Sequence, residues 1–364
     1  MIDPRAYPEL PELMIVGPGE LHPEDLAALG HQVVPHFGDV WTQFHTQVLE
    51  QLAALLGAEE MPYLIPGTGT TCLDAAIMNL FEPGQRVVVP NTGFFGHRLL
   101  EIARQQGLDA IEMPVEIGAP IDPAAVADAA AGAHGVLCTH VDTSTGVRHP
   151  IREIAEAAYQ AGAVTMVDGI ASIGGELASV DDWGIGVLVT GTQKGLETPP
   201  GLGIIAVGPR GRARMDARST RPPSWYLDLK IWEDYRREWA AWHPHPVTMP
   251  TNLVLALGSA LQRILADGID AYVGRRAALA ERCREGLQKA GLEPVPQPGT
   301  GANLVVAMYA DDPPAIQKHL VGRGIMIAGG LAPLAGRSIR IGLLGRTANE
   351  QMVAKLLEAI GELP

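Results

Sequence analysis

The chain has 364 residues, 47% of them hydrophobic, and a mean hydropathy of +0.11, enough to bury a large core and to form more than one domain. Its formal charge of −14 argues against nucleic acid as a partner, because an acidic surface repels a phosphate backbone. The three cysteines, Cys72, Cys138 and Cys283, are widely spaced and odd in number, which argues against a disulfide framework and reads as a reduced, intracellular protein. The N-terminal segment carries acids and prolines rather than an apolar signal core. No run approaches the roughly 18 apolar residues of a membrane helix. A cytoplasmic protein without membrane contact is expected.

Residues 1–25 are rich in Pro and Gly, including Gly17-Pro18-Gly19, and predict an extended arm. Helical spacing begins near residue 43 and runs to 57. Short apolar runs then alternate with helical ones. Strands are predicted at Tyr63–Pro66, Arg86–Pro90, Ala110–Met113, Gly135–Thr139, Val164–Asp168, Val187–Thr190 and Gly203–Val207. Helices are predicted between them at Cys72–Phe81, His97–Gln106, Pro123–Ala131 and Ile151–Ala161. This alternation implies an α/β fold with a mostly parallel central sheet covered by helices. After about 250 the pattern changes. Helices at Leu253–Ala266 and Ala271–Ala290 precede short strands at Asn303–Tyr309, Gly324–Ala328 and Ser338–Leu343 and a last helix near Ala348–Ile360. A smaller C-terminal α+β domain is expected, with boundaries at 1–25 (arm), 26–265 (large domain) and 266–364 (small domain).

Lys194 and Asp168 carry the chemistry. Val164–Asp168 is an apolar run ending in a carboxylate, and Val187–Thr190 is another, followed by Gly191-Thr192-Gln193-Lys194 and a Pro199-Pro200-Gly201 turn. The ends of neighbouring strands in an α/β sheet open onto one crevice. An amine and a carboxylate placed there are what a pyridoxal phosphate (PLP) site requires. The lysine links to the cofactor, and the carboxylate pairs with the ring nitrogen and keeps it protonated. Taken singly, the aspartate is as easily a helix cap and the lysine a surface charge.

Other segments add to this pair. Gly67-Thr68-Gly69-Thr70-Thr71 follows a strand and opens a helix, so free backbone N–H groups and hydroxyls form an anion site there. It lacks the Gly-Lys-Ser/Thr of a P-loop and the third glycine of a dinucleotide fingerprint. Phe94-Phe95 follows a strand and offers a ring to stack on the cofactor, or merely to pack in the core. The polar loop Thr139–Gly146 could place a hydroxyl or an imidazole beside the cofactor. Arg340, inside the apolar run Ser338–Gly345, needs a partner if buried, and a substrate carboxylate would serve; at a sheet edge it would simply point outward. His36, His243 and His245 suggest a metal only weakly, because no nearby carboxylate or cysteine completes a ligand set, and none is expected.

Together these segments resemble the class V aminotransferases of PLP fold type I, in particular the alanine–glyoxylate and serine–glyoxylate (serine–pyruvate) branch. The resemblance covers Gly17-Pro18-Gly19, the Gly67–Thr71 loop, Gly93-Phe94-Phe95-Gly96, Thr143-Ser144-Thr145-Gly146 and Asp168 with Ser172–Gly175. It continues through Gln193-Lys194 with Pro199-Pro200-Gly201, Trp225–Asp228 and Arg340-Ile341-Gly342. It implies that Lys194 is the cofactor-linked lysine and proton shuttle, with Asp168 on the ring nitrogen. It implies phosphate contacts from Gly69, Thr70, Thr71 and Gln193, ring stacking by Phe95, and a hydroxyl from Thr143 near the ring oxygen. It further implies a phosphate contact from Thr248 of a neighbouring subunit with His245 close by, hence a homodimer with its active site at the interface. Arg340 and Gly19 would bind substrate. Phe95 stands where relatives often have Trp or Tyr, and His245 where many have Tyr. The implied activity is transfer of the amino group of alanine or serine to glyoxylate or pyruvate. The alternatives are (S)-ureidoglycine–glyoxylate exchange or a PLP-dependent lyase on the same fold. A desulfurase needs a mobile nucleophilic cysteine, and none of the three cysteines sits in such a segment.

Overall fold

The computed structural model describes residues 10–363. Its largest element is a seven-stranded sheet. In spatial order the strands are Tyr63–Gly67, Gly201–Val207, Val187–Gly191, Val164–Asp168, Gly135–Thr139, Arg86–Asn91 and Asp109–Pro114. From Val187–Gly191 to Asp109–Pro114 every neighbour is parallel. Gly201–Val207 runs antiparallel to both its neighbours. The cause is local: it follows Val187–Gly191 after a short turn, too short for the crossover that a parallel partner needs. That turn carries Lys194.

Successive strand residues point to opposite faces, and both faces are buried. Val88, Val136, Val167 and Leu188 enter one apolar core. Their neighbours Val87, Val89, Leu137, Met166, Val187 and Val189 enter another. Helices Asp39–Leu56, Ile151–Gln160 and Thr251–Leu265 pack into the first core, and Gly69–Leu80 and Phe94–Gln105 into the second. These residues read in sequence as continuous apolar runs because neither face meets water.

The C-terminal part builds a four-stranded sheet in the order Glu12–Met14, Ile325–Gly329, Ser338–Gly342 and Val305–Tyr309. Helices Ile269–Lys289 and Glu350–Gly361 close its own core. The expected arm is not merely extended. Glu12–Met14 pairs in parallel with Ile325–Ile327, and Pro23–Leu29 forms a short helix started by proline. Residues 1–9 of that arm lie outside the described residues. Helices Pro209–Asp216, Leu229–Glu238 and Pro313–Gly322 are additions to the elements expected from the sequence. Among the described residues no helix is long and apolar enough to cross a membrane.

Candidate active site

Sheet register brings the two chemical ends together. Asp168 pairs with Thr139 on one side and with Val189 on the other, so three strands end at one level. Lys194 follows five residues beyond Val189 and returns over that edge. Both side chains line one cavity of about 180 Å³, with Thr70, Phe95, Thr143 and Gln193. A larger cleft of about 480 Å³ around Arg284 and Pro294–Pro298 has prolines and glycines along much of its wall and no such convergence of groups.

The two ionisable groups are displaced in opposite directions. Burial pushes the Asp168 carboxyl up to about 7, against one backbone N–H bond from Ile170 at 2.9 Å that stabilises the anion. Burial, and then the Arg340 guanidinium, lower the Lys194 ammonium to about 8. Its Nζ donates to the Val16 carbonyl of the arm. Each group would regain charge stabilisation from a partner of opposite sign inside the cavity.

The anion cradle forms at the start of helix Gly69–Leu80. The first N–H groups of a helix have no internal acceptor. The Thr68 hydroxyl accepts the Thr71 N–H at 3.3 Å, and the Thr71 hydroxyl meets the Thr68 N–H at 3.2 Å, a closed capping box. This leaves the N–H groups of Gly69 and Thr70 for a ligand. Of the three residues expected to meet phosphate here, Thr71 is therefore the one committed to the cap. Gln193 lines the same cavity, and its amide oxygen is buried without a partner.

Phe95 and Thr143 also line the cavity. Phe95 is held by an aspartate that its sequence context does not single out. Asp142 Oδ2 accepts the N–H groups of Phe95 and Gly96, each at 3.1 Å, and so caps the helix that presents the ring. The guanidinium carbon of Arg98, one turn further on, sits 4.8 Å from the centre of the Phe95 ring and lines the cavity. Thr143 is buried. His140, from the same loop, packs against Trp183 instead of lining the cavity.

Arg340 does not point outward from an edge. Ser338–Gly342 is flanked by a strand on each side. The side chain is buried and crosses to the large sheet, with Nη1 on the Thr143 carbonyl at 3.0 Å and Nε on the Gly329 carbonyl at 2.8 Å. Both partners are uncharged, and among the described residues no carboxylate pairs with it. Arg340 is not among the residues that line the cavity, but it holds the carbonyl of Thr143, which does, and its charge is felt by Lys194.

Three expected residues are placed elsewhere within the chain. A Cβ on Gly19 would meet Leu344 at 2.9 Å, so Gly19 packs on the segment just after strand Ser338–Gly342; Gly17 is the arm residue against Lys194, with a notional Cβ 2.6 Å from its Cδ. Thr248 is exposed and outside the cavity. His245 is buried, accepting the Trp41 indole N–H at 2.9 Å and meeting the Val247 carbonyl at 2.8 Å. It joins His36 and His243, one nitrogen from each lying within 4.8 Å of the others. His36 Nδ1 and His243 Nε2 are 3.2 Å apart and share a hydrogen bond. All three cysteines are buried, and burial raises each thiol above its usual range, which leaves no thiolate for sulfur chemistry.

An amine and a carboxylate lining one cavity, a helix start with free N–H groups, a buried side-chain amide and an aromatic ring together fit pyridoxal phosphate. Comparison with known proteins agrees. The sequence model of the class V aminotransferases matches residues 20–350. An uncharacterized aminotransferase of Methanocaldococcus jannaschii is 34% identical over 94% of this chain and 90% of its own length. Alanine–glyoxylate aminotransferase of Oryctolagus cuniculus is 30% identical over 97% and 92%. The crystal structure of alanine–glyoxylate aminotransferase from Nostoc sp. superposes with a TM-score of 0.93 at 26% identity, covering 100% of this chain and 97% of that one. The fold and site define a PLP-dependent transaminase of fold type I. The chain belongs to the class V aminotransferases.

Proposed function

We propose that this enzyme moves the amino group of a small L-amino acid, alanine or serine, to glyoxylate or pyruvate. The carrying observation is Arg340: a buried guanidinium bonded only to neutral carbonyls, close enough to Lys194 to lower its pKa. Such a group suits one α-carboxylate, held by paired N–H bonds, and every amino and oxo acid in the exchange has one. The small cavity and the alanine–glyoxylate activity of the relatives from Oryctolagus cuniculus and Nostoc sp. support a short side chain.

Pyridoxal phosphate, when bound, supplies the electron sink that makes the substrate Cα–H acidic. Lys194 Nζ, poised near neutrality at about 8, removes the Cα proton and returns one on the far side of the exchange. Asp168 holds the proton on the ring nitrogen. Arg340 sets the Cα–H bond toward Lys194. Gly69 and Thr70 N–H groups, with Gln193, hold the phosphate. Because donor and acceptor use one carboxylate site in turn, the kinetics are ping-pong.

A homodimer is part of this reading. Val33, Phe37, Val40, Trp239 and Trp242 are exposed apolar side chains carried by the same two regions of chain as His36 and Thr248. Such an exposed apolar face supports a contact with a second copy, and we propose that Thr248 and the histidines beside it would reach that copy's phosphate site.

The test is direct. Purified protein should be yellow, and borohydride should bleach that colour while fixing the pyridoxyl group to the peptide bearing Lys194. L-alanine or L-serine bleaches the untreated protein and releases the matching oxo acid, with glyoxylate or pyruvate regenerating the starting spectrum. Retention of a fixable chromophore in Lys194→Ala would overturn the site. Release of ammonia in place of amino transfer would overturn the reaction.

A further inference from the structure

We propose that Glu197 is a positioning residue that locks the Lys194 turn to the strand bearing Arg340, so that base and carboxylate anchor move as one unit. Among the described residues Glu197 is the only non-glycine with positive φ, at 58°. A Cβ residue adopts this left-handed conformation only when its surroundings hold it there. Here they do. Its N–H donates to the Lys194 carbonyl at 3.0 Å and closes the turn. Its buried carboxylate then gathers four separate segments. Oε1 accepts the Gly345 N–H at 3.0 Å, five residues beyond Arg340, and is paired with Arg276 of helix Ile269–Lys289. Oε2 lies 3.2 Å from Arg263 Nη2, on helix Thr251–Leu265, and 3.2 Å from His22 Nε2 at the head of the arm helix. Arg263 also reaches Asp25 at 2.8 Å.

Burying a carboxylate among two guanidinium groups costs desolvation that well-packed apolar side chains would avoid. Stability alone is a weak reason for the arrangement. Its geometry supplies a better one. The large sheet delivers Lys194 and the small sheet delivers Arg340. Glu197 is the point where a side chain three residues from the lysine bonds the backbone just past the arginine. The arm, whose Val16 carbonyl meets Lys194 Nζ, joins the same cluster through Asp25, which shares Arg263 with Glu197, and brings His22 Nε2 to 3.2 Å from the carboxylate. Arg276 further bonds the Ala348 carbonyl at 3.3 Å, which extends the lock along the segment that follows Gly345.

The inference rests on the roles proposed above for Lys194 and Arg340, and the test separates the two. Glu197→Gln adds one net positive charge to the cluster, and Arg263→Gln removes one. Hydrogen exchange is measured on the holoenzyme for peptides spanning 191–201 and 338–346. The pH titration of the lysine-linked chromophore and the KM and half-reaction rate for L-alanine are measured alongside. A lock predicts faster exchange, by about tenfold or more, in both peptides together and in both variants. It also predicts a higher KM and a slower half-reaction in both. A purely electrostatic effect moves the chromophore titration in opposite directions in the two variants and leaves exchange unchanged. A merely structural role lowers the melting temperature while the kinetics of folded holoenzyme stay as in the wild type. Either result overturns the proposal, as does loosening of one peptide without the other. Should Glu197→Gln not fold, Arg263→Gln, altered at a partly exposed side chain, decides by the same readouts. The exchange result stands even if Lys194 proves not to be the reactive lysine.

Discussion

Asp168 makes the cofactor-free protein sensitive to pH, and the effect can be sized. Burial raises its carboxyl from the usual 3.8 to about 7 in the folded chain. Between those values the unfolded chain has lost the proton that the folded chain keeps. Stability from this group is therefore full below pH 4 and declines as pH rises, levelling off above about 7. Each unit of difference is worth about 1.4 kcal/mol. Between pH 5 and pH 7.5 the loss works out at about 2.5 kcal/mol. Glu176, also raised to about 7 by burial, adds loss of the same sign, so the comparison must be made against Asp168→Asn rather than read from the wild type alone. Urea unfolding of both apoproteins at the two pH values gives the difference. The wild type should lose about 2.5 kcal/mol more than the variant. Saturating the wild type with pyridoxal phosphate should flatten its slope, because a protonated ring nitrogen offsets the buried charge. Equal pH slopes in apo wild type and variant would refute the reasoning, since the carboxylate would then meet no desolvation on folding.

Two further outcomes rest on distances in the site. Arg340→Lys keeps a charge but loses the planar fork, and one charge-assisted hydrogen bond is worth about 1.5–3 kcal/mol. KM for L-alanine should rise about 10- to 150-fold with a smaller change in kcat, as read from initial rates. Gly195→Ala would put a methyl 2.1 Å from the Ile173 carbonyl oxygen, a backbone contact that no rotamer relieves. It should destabilise by about 1–3 kcal/mol and lower the cofactor content of purified protein, measured by thermal melting and by absorbance.

The strand-end chemistry is legible in the sequence because it is local. Val164–Asp168 and Val187–Gly191 announce themselves as apolar runs, and the residues just past each run must fall on one edge of the sheet. The Gly-Thr-Gly-Thr turn is legible for the same reason, although the division of labour within it is not. That Thr71 serves the cap while Thr70 faces the cavity is a matter of helix phase. The features hidden from the sequence depend on contacts far apart in the chain. Asp142 looks like one more turn residue until its carboxylate is seen holding the helix of Phe95. Arg340 is equally an anchor or an outward edge residue on its strand pattern alone, and the choice turns on Thr143, nearly two hundred residues away. Glu197 is inconspicuous beside a Pro-Pro-Gly turn, and its partners come from the arm, two helices and the last strand connection.

The pocket inverts the character of the surface around it. The whole chain carries a formal charge of −14, yet Arg98 and Lys194 line one cavity, Arg340 lies near enough to act on Lys194, and the cavity's own carboxyl, Asp168, is raised by burial to about 7 and so is only partly ionised at neutral pH. Such a site favours anions in a definite order. On the roles proposed above, a cofactor bearing a phosphate would meet the free N–H groups of Gly69 and Thr70, and its ring nitrogen would restore the charge on Asp168. With the lysine linked to the cofactor, the cations left over would be Arg98, which sits over the Phe95 ring, and Arg340, whose hydrogen bonds go only to neutral carbonyls and which could still attract a carboxylate. The acidic exterior gives no help in drawing in an oxo acid, so selection falls to these few buried cations, whose strength depends on water being kept away.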